Sequence, residues 1–197
     1  MTPAHELSKR LEDIREEIIN NAKPTHRQFM EKAAPGIQQA HGTPTPVLNE
    51  LAKFHTAGGI PLVELLWASG VYEEQLIAVK LLARLAKKHP DDAIRLLREF
   101  TPGLTEWSIC DTRAMGISRS LHKKEKRRLF ELSEKWSRSP ELWTRRMSIV
   151  LLWYFCRFEE DRAFIRRQLN HHMDDKAHYI RKAVAWINRE LSKQESE

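Results

Sequence analysis

Residues 78–100, AVKLLARLAKKHPDDAIRLLREF, are echoed 70 positions later by residues 148–169, SIVLLWYFCRFEEDRAFIRRQL. Leu81, Leu82 and Ala93 of the first copy fall on Leu151, Leu152 and Ala163 of the second. Within the first copy, apolar residues recur at helical spacing, His89-Pro90 stops the run, and Asp91-Asp92 opens a second one that reaches Phe100. The unit is therefore a helix pair of about 35 residues, and the offset spans two such units. Pairs of this length bury their apolar faces against their sequence neighbours, which is the logic of an α-solenoid. The expected fold is all-α: a HEAT-like helical-repeat superhelix with a continuous core and a concave, basic face. It is expected as a single domain over 1–197, with N-terminal helices in 1–40, the repeat array in 41–192 and a tail at 193–197.

Helical periodicity extends outward in both directions, and strand alternation is nearly absent. A first amphipathic helix is predicted over 4–21, with Leu7, Leu11, Ile14 and Ile18 on one stripe, and a second over 25–39. GTPTP at 42–46 reads as a rigid turn whose Pro46 starts the helix PVLNELAKFH. Gly58, Gly59 and Pro61 read as breakers. Helices are predicted over 73–88, from Asp91 to Phe100, from a Thr105 cap through Trp107 and Asp111, and over 123–137, 141–157, 160–172 and 176–192.

Composition narrows the function. The chain is 41% hydrophobic and 30% charged with only 7 glycines, a globular and helix-favouring balance. The longest apolar run, SIVLLWYF, is too short to span a bilayer, and MTPAHELSKR has no apolar signal region, so no membrane role is expected and the cytoplasm, close to the nucleoid, is the expected location. Cys110 and Cys156 make no disulfide framework, and none of the 9 histidines pair at i,i+4, so no metal site or cofactor is expected. A net charge of +6 points to an anionic partner, nucleic acid first.

Six tryptophans exceed what packing requires. Trp67 and Trp153 lie in apolar stretches and read as core; Trp136, between Lys135 and Ser137-Arg138, reads as half exposed. Trp107, Trp143 and Trp186 each have a charge about one turn away: Asp111, Arg146, and Lys182 with Arg189. Aromatics interleaved with cations suit a nucleic-acid backbone. A carboxylate among them repels phosphates, and catalysis on a cationic centre would offset that cost. The basic run from His122, HKKEKRRLFELSEKW, adds Lys123, Lys126 and Arg127 as candidate phosphate contacts, although a solvated helix face explains it equally well. His171-His172 read as surface.

The blocks GTPTPVLNELAK, LLWASGVYEEQLIAV, EWSICD, LWTRRMSIVLL and IRKAVAWINREL, in this order across about residues 40–192, resemble the HEAT-like-repeat DNA glycosylases of alkylation repair, the AlkD/AlkC-like DNA alkylation repair enzymes. The resemblance places the family's catalytic aspartate on Asp111, its paired tryptophan on Trp107 and the tryptophan of its KAxxW block on Trp186. DNA contacts then fall to Arg146, with Trp143 and Lys182 beside it. The residues themselves leave Arg145 and Arg146 open, and only the block alignment selects Arg146. What the resemblance implies is a monofunctional glycosylase, a monomer acting on duplex DNA that carries alkylated bases. It would excise positively charged N-alkylated purines such as 3-methyladenine and 7-methylguanine, with water and no cofactor. The alternatives are a non-catalytic helical-repeat module for branched or bent DNA and a protein-binding solenoid, which the charge and the Trp/Asp/Arg set disfavour.

Overall fold

The computed structural model describes residues 3–195 and consists of helices α1 (Pro3–Asn20), α2 (Pro24–Ala33), α3 (Thr45–Phe54), α4 (Gly59–Ala68), α5 (Tyr72–Leu85), α6 (Pro90–Phe100), α7 (Trp107–Leu121), α8 (Lys126–Trp136), α9 (Leu142–Val150), α10 (Glu159–Asn170) and α11 (His178–Glu195). Three short 3-10 turns, His55–Gly58, Thr101–Gly103 and Trp153–Arg157, join them, and no strand occurs among the described residues. Met1 and Thr2 of the N-terminal reading, and Ser196 and Glu197 of the expected tail, lie outside the described residues. Helices pack on close sequence neighbours: α3 and α4 on α5 in one stretch, α7, α8 and α11 on α9 in the other. This is the packing of an all-α helical-repeat solenoid. No helix among the described residues is long and apolar enough to cross a membrane.

Two compact units divide the chain, residues 1–95 and 96–197. In the first, Ile14 and Ile18 of α1 are buried as the stripe predicts. α2 ends at Ala33 rather than 39, because Pro35 forces Ala34 out of the helical region (φ −136°, ψ 80°). The turn at 42–46 is pinned from within: the buried Glu73 carboxylate accepts the N–H groups of His41, Gly42 and Thr43 at 2.7–3.2 Å. Gly42 sits there at φ 92°, where a Cβ would meet Lys23 O at 2.6 Å. The breakers at 58–61 do separate two helices: α3 ends at Phe54, the 3-10 turn ends at Gly58, and α4, absent from the predicted helices, starts at Gly59. Trp67 is half-buried rather than core.

In the second unit the predicted helix 141–157 is broken. From Ile149 to Phe155 the run carries only aliphatic and aromatic residues, so periodicity could not mark the stop at Val150 or the tighter turn from Trp153. Leu81, Leu82, Leu151 and Leu152 are all buried, as the echo predicts. Ala93 is buried as well, but Ala163 is exposed, so the echo does not extend through the second helix of the pair. Two tryptophans exchange roles: Trp136 is buried, whereas Trp153 is half-buried under two arginines. His172 is buried beside Ser148, and only His171 is exposed. Cys110 and Cys156 are free and buried.

The charge is unevenly shared. Residues 1–95 hold 12 Lys and Arg against 12 Asp and Glu, whereas residues 96–197 hold 21 against 15, so the whole +6 excess lies in the second unit.

Candidate active site

Helix α7 begins at Trp107 because Glu106, not Thr105, caps it. Glu106 is extended (φ −153°, ψ 166°), and its carboxylate accepts from the backbone N–H of both Ser108 and Ile109. A carboxylate satisfies two of the orphan donors of the first turn and complements the positive end of the helix dipole. The side chain is buried, and burial raises its pKa; the two backbone bonds pull the other way. The nearby charge of Asp111 adds to the upward shift. This cap sets the phase of α7 and so the direction of Trp107 and, one turn later, of Asp111.

Asp111 is held across 35 residues by α9. Arg146 Nε donates to Asp111 Oδ1 at 2.8 Å and Nη2 donates to Oδ2 at 2.7 Å, a two-pronged fork. The side chains are only 6% and 12% exposed, so the pair is largely out of water. Burial pushes the Asp111 carboxyl above the usual range, and the bonds and charge of Arg146 draw it back only in part. Burial likewise pulls Arg146 down, but Asp111 outweighs it and holds the guanidinium above its ordinary value. The third prong, Nη1, donates to the backbone carbonyl of Tyr179 in α11. Three helices thus converge on one guanidinium.

The same three helices carry the candidate rings. Trp143, one turn before Arg146, lies 4.9 Å from the Tyr179 ring at 46° between planes. Its carbonyl also takes the Cys110 thiol at 3.8 Å, tying the residue before Asp111 to α9. Trp107 is half-buried at the start of α7. Trp186 is half-buried on α11, two turns beyond Tyr179, with exposed Lys182 between them. Arg145 turns elsewhere: its Nε lies 2.9 Å from Asp175 Oδ2 and its Nη1 donates to the carbonyls of Ser139 and Pro140.

The basic run from His122 is distributed differently. Lys123 is exposed, and Arg127, with a side chain 93% exposed, pairs with Glu131 one turn on. Lys126 is bound to the buried carboxylate of Asp161. Tyr179, Asp175 and Glu106 escaped the sequence reading. Tyr179 could have been found, since it precedes Lys182 and Trp186 by three and seven positions on α11 and so shares their side of the helix. A second cation–aromatic cluster was hidden by the reading of Trp153 as core: Arg119 and Arg157 lie 5.7 and 5.3 Å from its ring centroid, and Arg157 lies 3.9 Å from that of Tyr154. Among the described residues no group of three or more His, Cys, Asp or Glu is placed to hold a metal ion.

Comparison with known proteins gives a consistent picture. A search of curated proteins finds no match. Among solved structures, AlkD2 from Streptococcus mutans is similar at 18% identity and a TM-score of 0.59, over 99% of this chain and 86% of that one. The protein smu.31 from Streptococcus mutans UA159 is similar at 19% identity and a TM-score of 0.58, over 100% and 86%. At such identities the likeness speaks for the fold. The family model described as DNA alkylation repair enzyme matches residues 14–197, a span that includes Glu106, Asp111, Arg146 and Trp186, and the chain belongs to that family.

Proposed function

We propose that the protein is a monofunctional DNA glycosylase that hydrolyses the N-glycosidic bond of cationic N-alkylated purines, 3-methyladenine and 7-methylguanine among them, in duplex DNA. The observation that carries this reading is the buried Asp111–Arg146 fork between helices that also carry Trp107, Trp143 and Trp186. An alkylated purine already bears positive charge, so the bond breaks with its electron pair moving onto the base, which leaves neutral without needing a proton. The sugar becomes oxocarbenium-like, as in glycoside hydrolysis. Asp111 supplies the negative charge for that centre. Each of its oxygens accepts one bond from Arg146 and keeps a lone pair that can orient the attacking water and accept its proton. The indole faces of Trp107 and Trp186 suit the cationic sugar and base, worth ~1–2 kcal/mol each when desolvated.

Arg146 holds Asp111 in one rotamer. Its three bonds use three of the five N–H donors of a guanidinium, and the others can reach a phosphate at the lesion. Trp143, Lys182, Lys123 and Arg127 are assigned to the DNA as well, and the protein acts as a monomer in the cytoplasm with water as its only co-substrate. Incubation with methylated duplex DNA should release free 3-methyladenine or 7-methylguanine. Asp111→Asn should slow that release by a barrier of about 2–4 kcal/mol while DNA affinity stays equal or rises slightly. Binding of methylated and branched duplexes with no base released would transfer the chain to non-catalytic recognition of bent or branched DNA. That competing reading draws on the same fork, because Arg146 already neutralises the charge that catalysis would use.

A further inference from the structure

The first unit carries a groove of about 780 Å³ between α1 and α3 whose lining is unlike the rest of this basic chain. Four carboxylates face it, Asp13, Glu16 and Glu17 from α1 and Glu50 from α3, and no Lys or Arg lines it. Glu50 is paired with Lys53 at 3.6 Å and Glu17 accepts from Asn21. Asp13 and Glu16 have no ion-pair partner among the described residues. The rest of the lining is largely apolar: Pro46, Val47, a buried Leu51, and Phe54, which stands 79% exposed. His55 also lines the groove. It is 3% exposed, its ring meets Phe54 edge-on at 5.0 Å, and its Nδ1 is buried without a hydrogen-bond partner among the described residues. Burial lowers the pKa of this imidazole, and Arg10 adds to the effect against the opposing pull of Asp13. A neutral ring has one acceptor nitrogen.

We propose that this groove docks a basic segment of a partner protein, one in which arginines alternate with apolar residues. Nearly every polar group on its walls is an acceptor, so the matching ligand is a donor without acceptors, which describes lysine and arginine. An exposed phenylalanine in the same groove as the carboxylates takes an arginine fork on its face and the alkyl stem along its edge. The apolar lining asks for side chains that a simple polyamine lacks. Nucleic acid is repelled here, and because residues 1–95 are balanced in charge, no local cationic excess cancels the groove's potential. The docking site rests on residues the proposed excision chemistry does not use, so either reading can fail alone.

The test is fluorescence anisotropy of the full chain with a labelled ten-residue peptide of alternating arginine and leucine, beside a control in which glutamate replaces arginine. The arginine peptide should bind and the control should not. Asp13→Lys/Glu16→Lys should weaken binding at least about tenfold, and Phe54→Ala about fivefold. All three positions are exposed, so helicity by circular dichroism should be unchanged and base release from methylated DNA should stay at its starting rate. Equal binding by the charge-reversed variant would overturn the proposal. So would full displacement by spermine with no effect of Phe54→Ala, which would reduce the groove to a diffuse cation site. A dimer in sedimentation that Phe54→Ala dissolves would make the occupant a second copy of this chain, and the proposal would fall.

Discussion

Arg145 and Arg146 share a peptide bond yet engage different acids, Asp175 for the first and Asp111 for the second. Adjacent residues of a helix point about 100° apart, so α9 can aim only one of them at α7.

The two pairs differ in burial, and that difference predicts unequal losses. Arg146→Ala leaves the Asp111 carboxylate buried without its counter-charge, which should cost about 3–5 kcal/mol. Arg145 is 21% exposed and its partner 16%, so Arg145→Ala should cost roughly 1–2 kcal/mol through its carbonyl bonds and partly screened charge. Urea unfolding of both variants measures the gap. The double variant Asp111→Asn/Arg146→Leu should recover most of the stability lost by Arg146→Ala while remaining unable to release base. Equal losses at the two arginines would mean that the fork is no stronger than the half-buried pair.

Glu106 positions the site without touching a substrate. Glu106→Ala frees two N–H groups at the start of α7, that of Ile109 buried and that of Ser108 half-buried, and should cost about 1–2 kcal/mol in unfolding. Because Trp107 and Asp111 ride on that first turn, kcat for base release should fall while KM moves little. Glu106→Gln keeps an acceptor oxygen and should restore a large part of both. A variant that lost stability with an unchanged kcat would reduce Glu106 to a simple cap.

The helices were readable because most of them keep a one-sided apolar stripe, as Ile14 and Ile18 do in α1. Periodicity fails where that asymmetry vanishes. The helix GIPLVELLWA is apolar almost all round and begins on Gly59 at φ 62°, so no one-sided stripe marks it as a helix after the break. The face carrying Trp107 and Asp111 was legible from spacing alone. Its anchor was not legible from spacing, since Arg146 lies 35 residues away; the family blocks select Arg146 over Arg145, and the packing of α9 on α7 then pairs it with Asp111. Tyr179 contributes to the fork through its backbone carbonyl, a role that no side-chain motif encodes.

Buried histidines should make the fold sensitive to mild acid. Burial lowers the pKa of His172, assisted by His171 and Arg145 and opposed by Asp175, and burial likewise lowers that of His55. With the unfolded value near 6.5, stability is fully present above that pH. It falls as pH drops below it, because the unfolded chain binds protons that the native rings refuse. Glu106 and Asp111 act in the opposite sense. Their raised values mean that the native state gains stability as pH falls through them toward 4.5 and 3.8. Urea midpoints should therefore decline from pH 7.5 to 5.5, and His172→Gln should flatten part of that decline. A midpoint independent of pH over this range would show that neither histidine is protected from protons in the native state.

The basic run from His122 separates structure from DNA binding in one experiment. Lys126 is committed to Asp161, which is 3% exposed and whose second oxygen has no hydrogen-bond partner among the described residues. Lys126→Ala should therefore cost about 2–3 kcal/mol in unfolding, since it leaves a buried carboxylate unpaired. Its effect on the salt dependence of DNA affinity should be small, because the lysine and Asp161 together present no net charge. Lys123 and Arg127 are exposed, and the Glu131 partner of Arg127 is itself in solvent, a pair worth less than about 1 kcal/mol. If they contact phosphates, Lys123→Ala and Arg127→Ala should each make the slope of log K against log salt shallower by about one, with stability nearly unchanged. The opposite pattern, a slope change at Lys126 and none at Lys123 or Arg127, would mean that DNA draws Lys126 off Asp161 and that the exposed side of α8 faces away from the duplex.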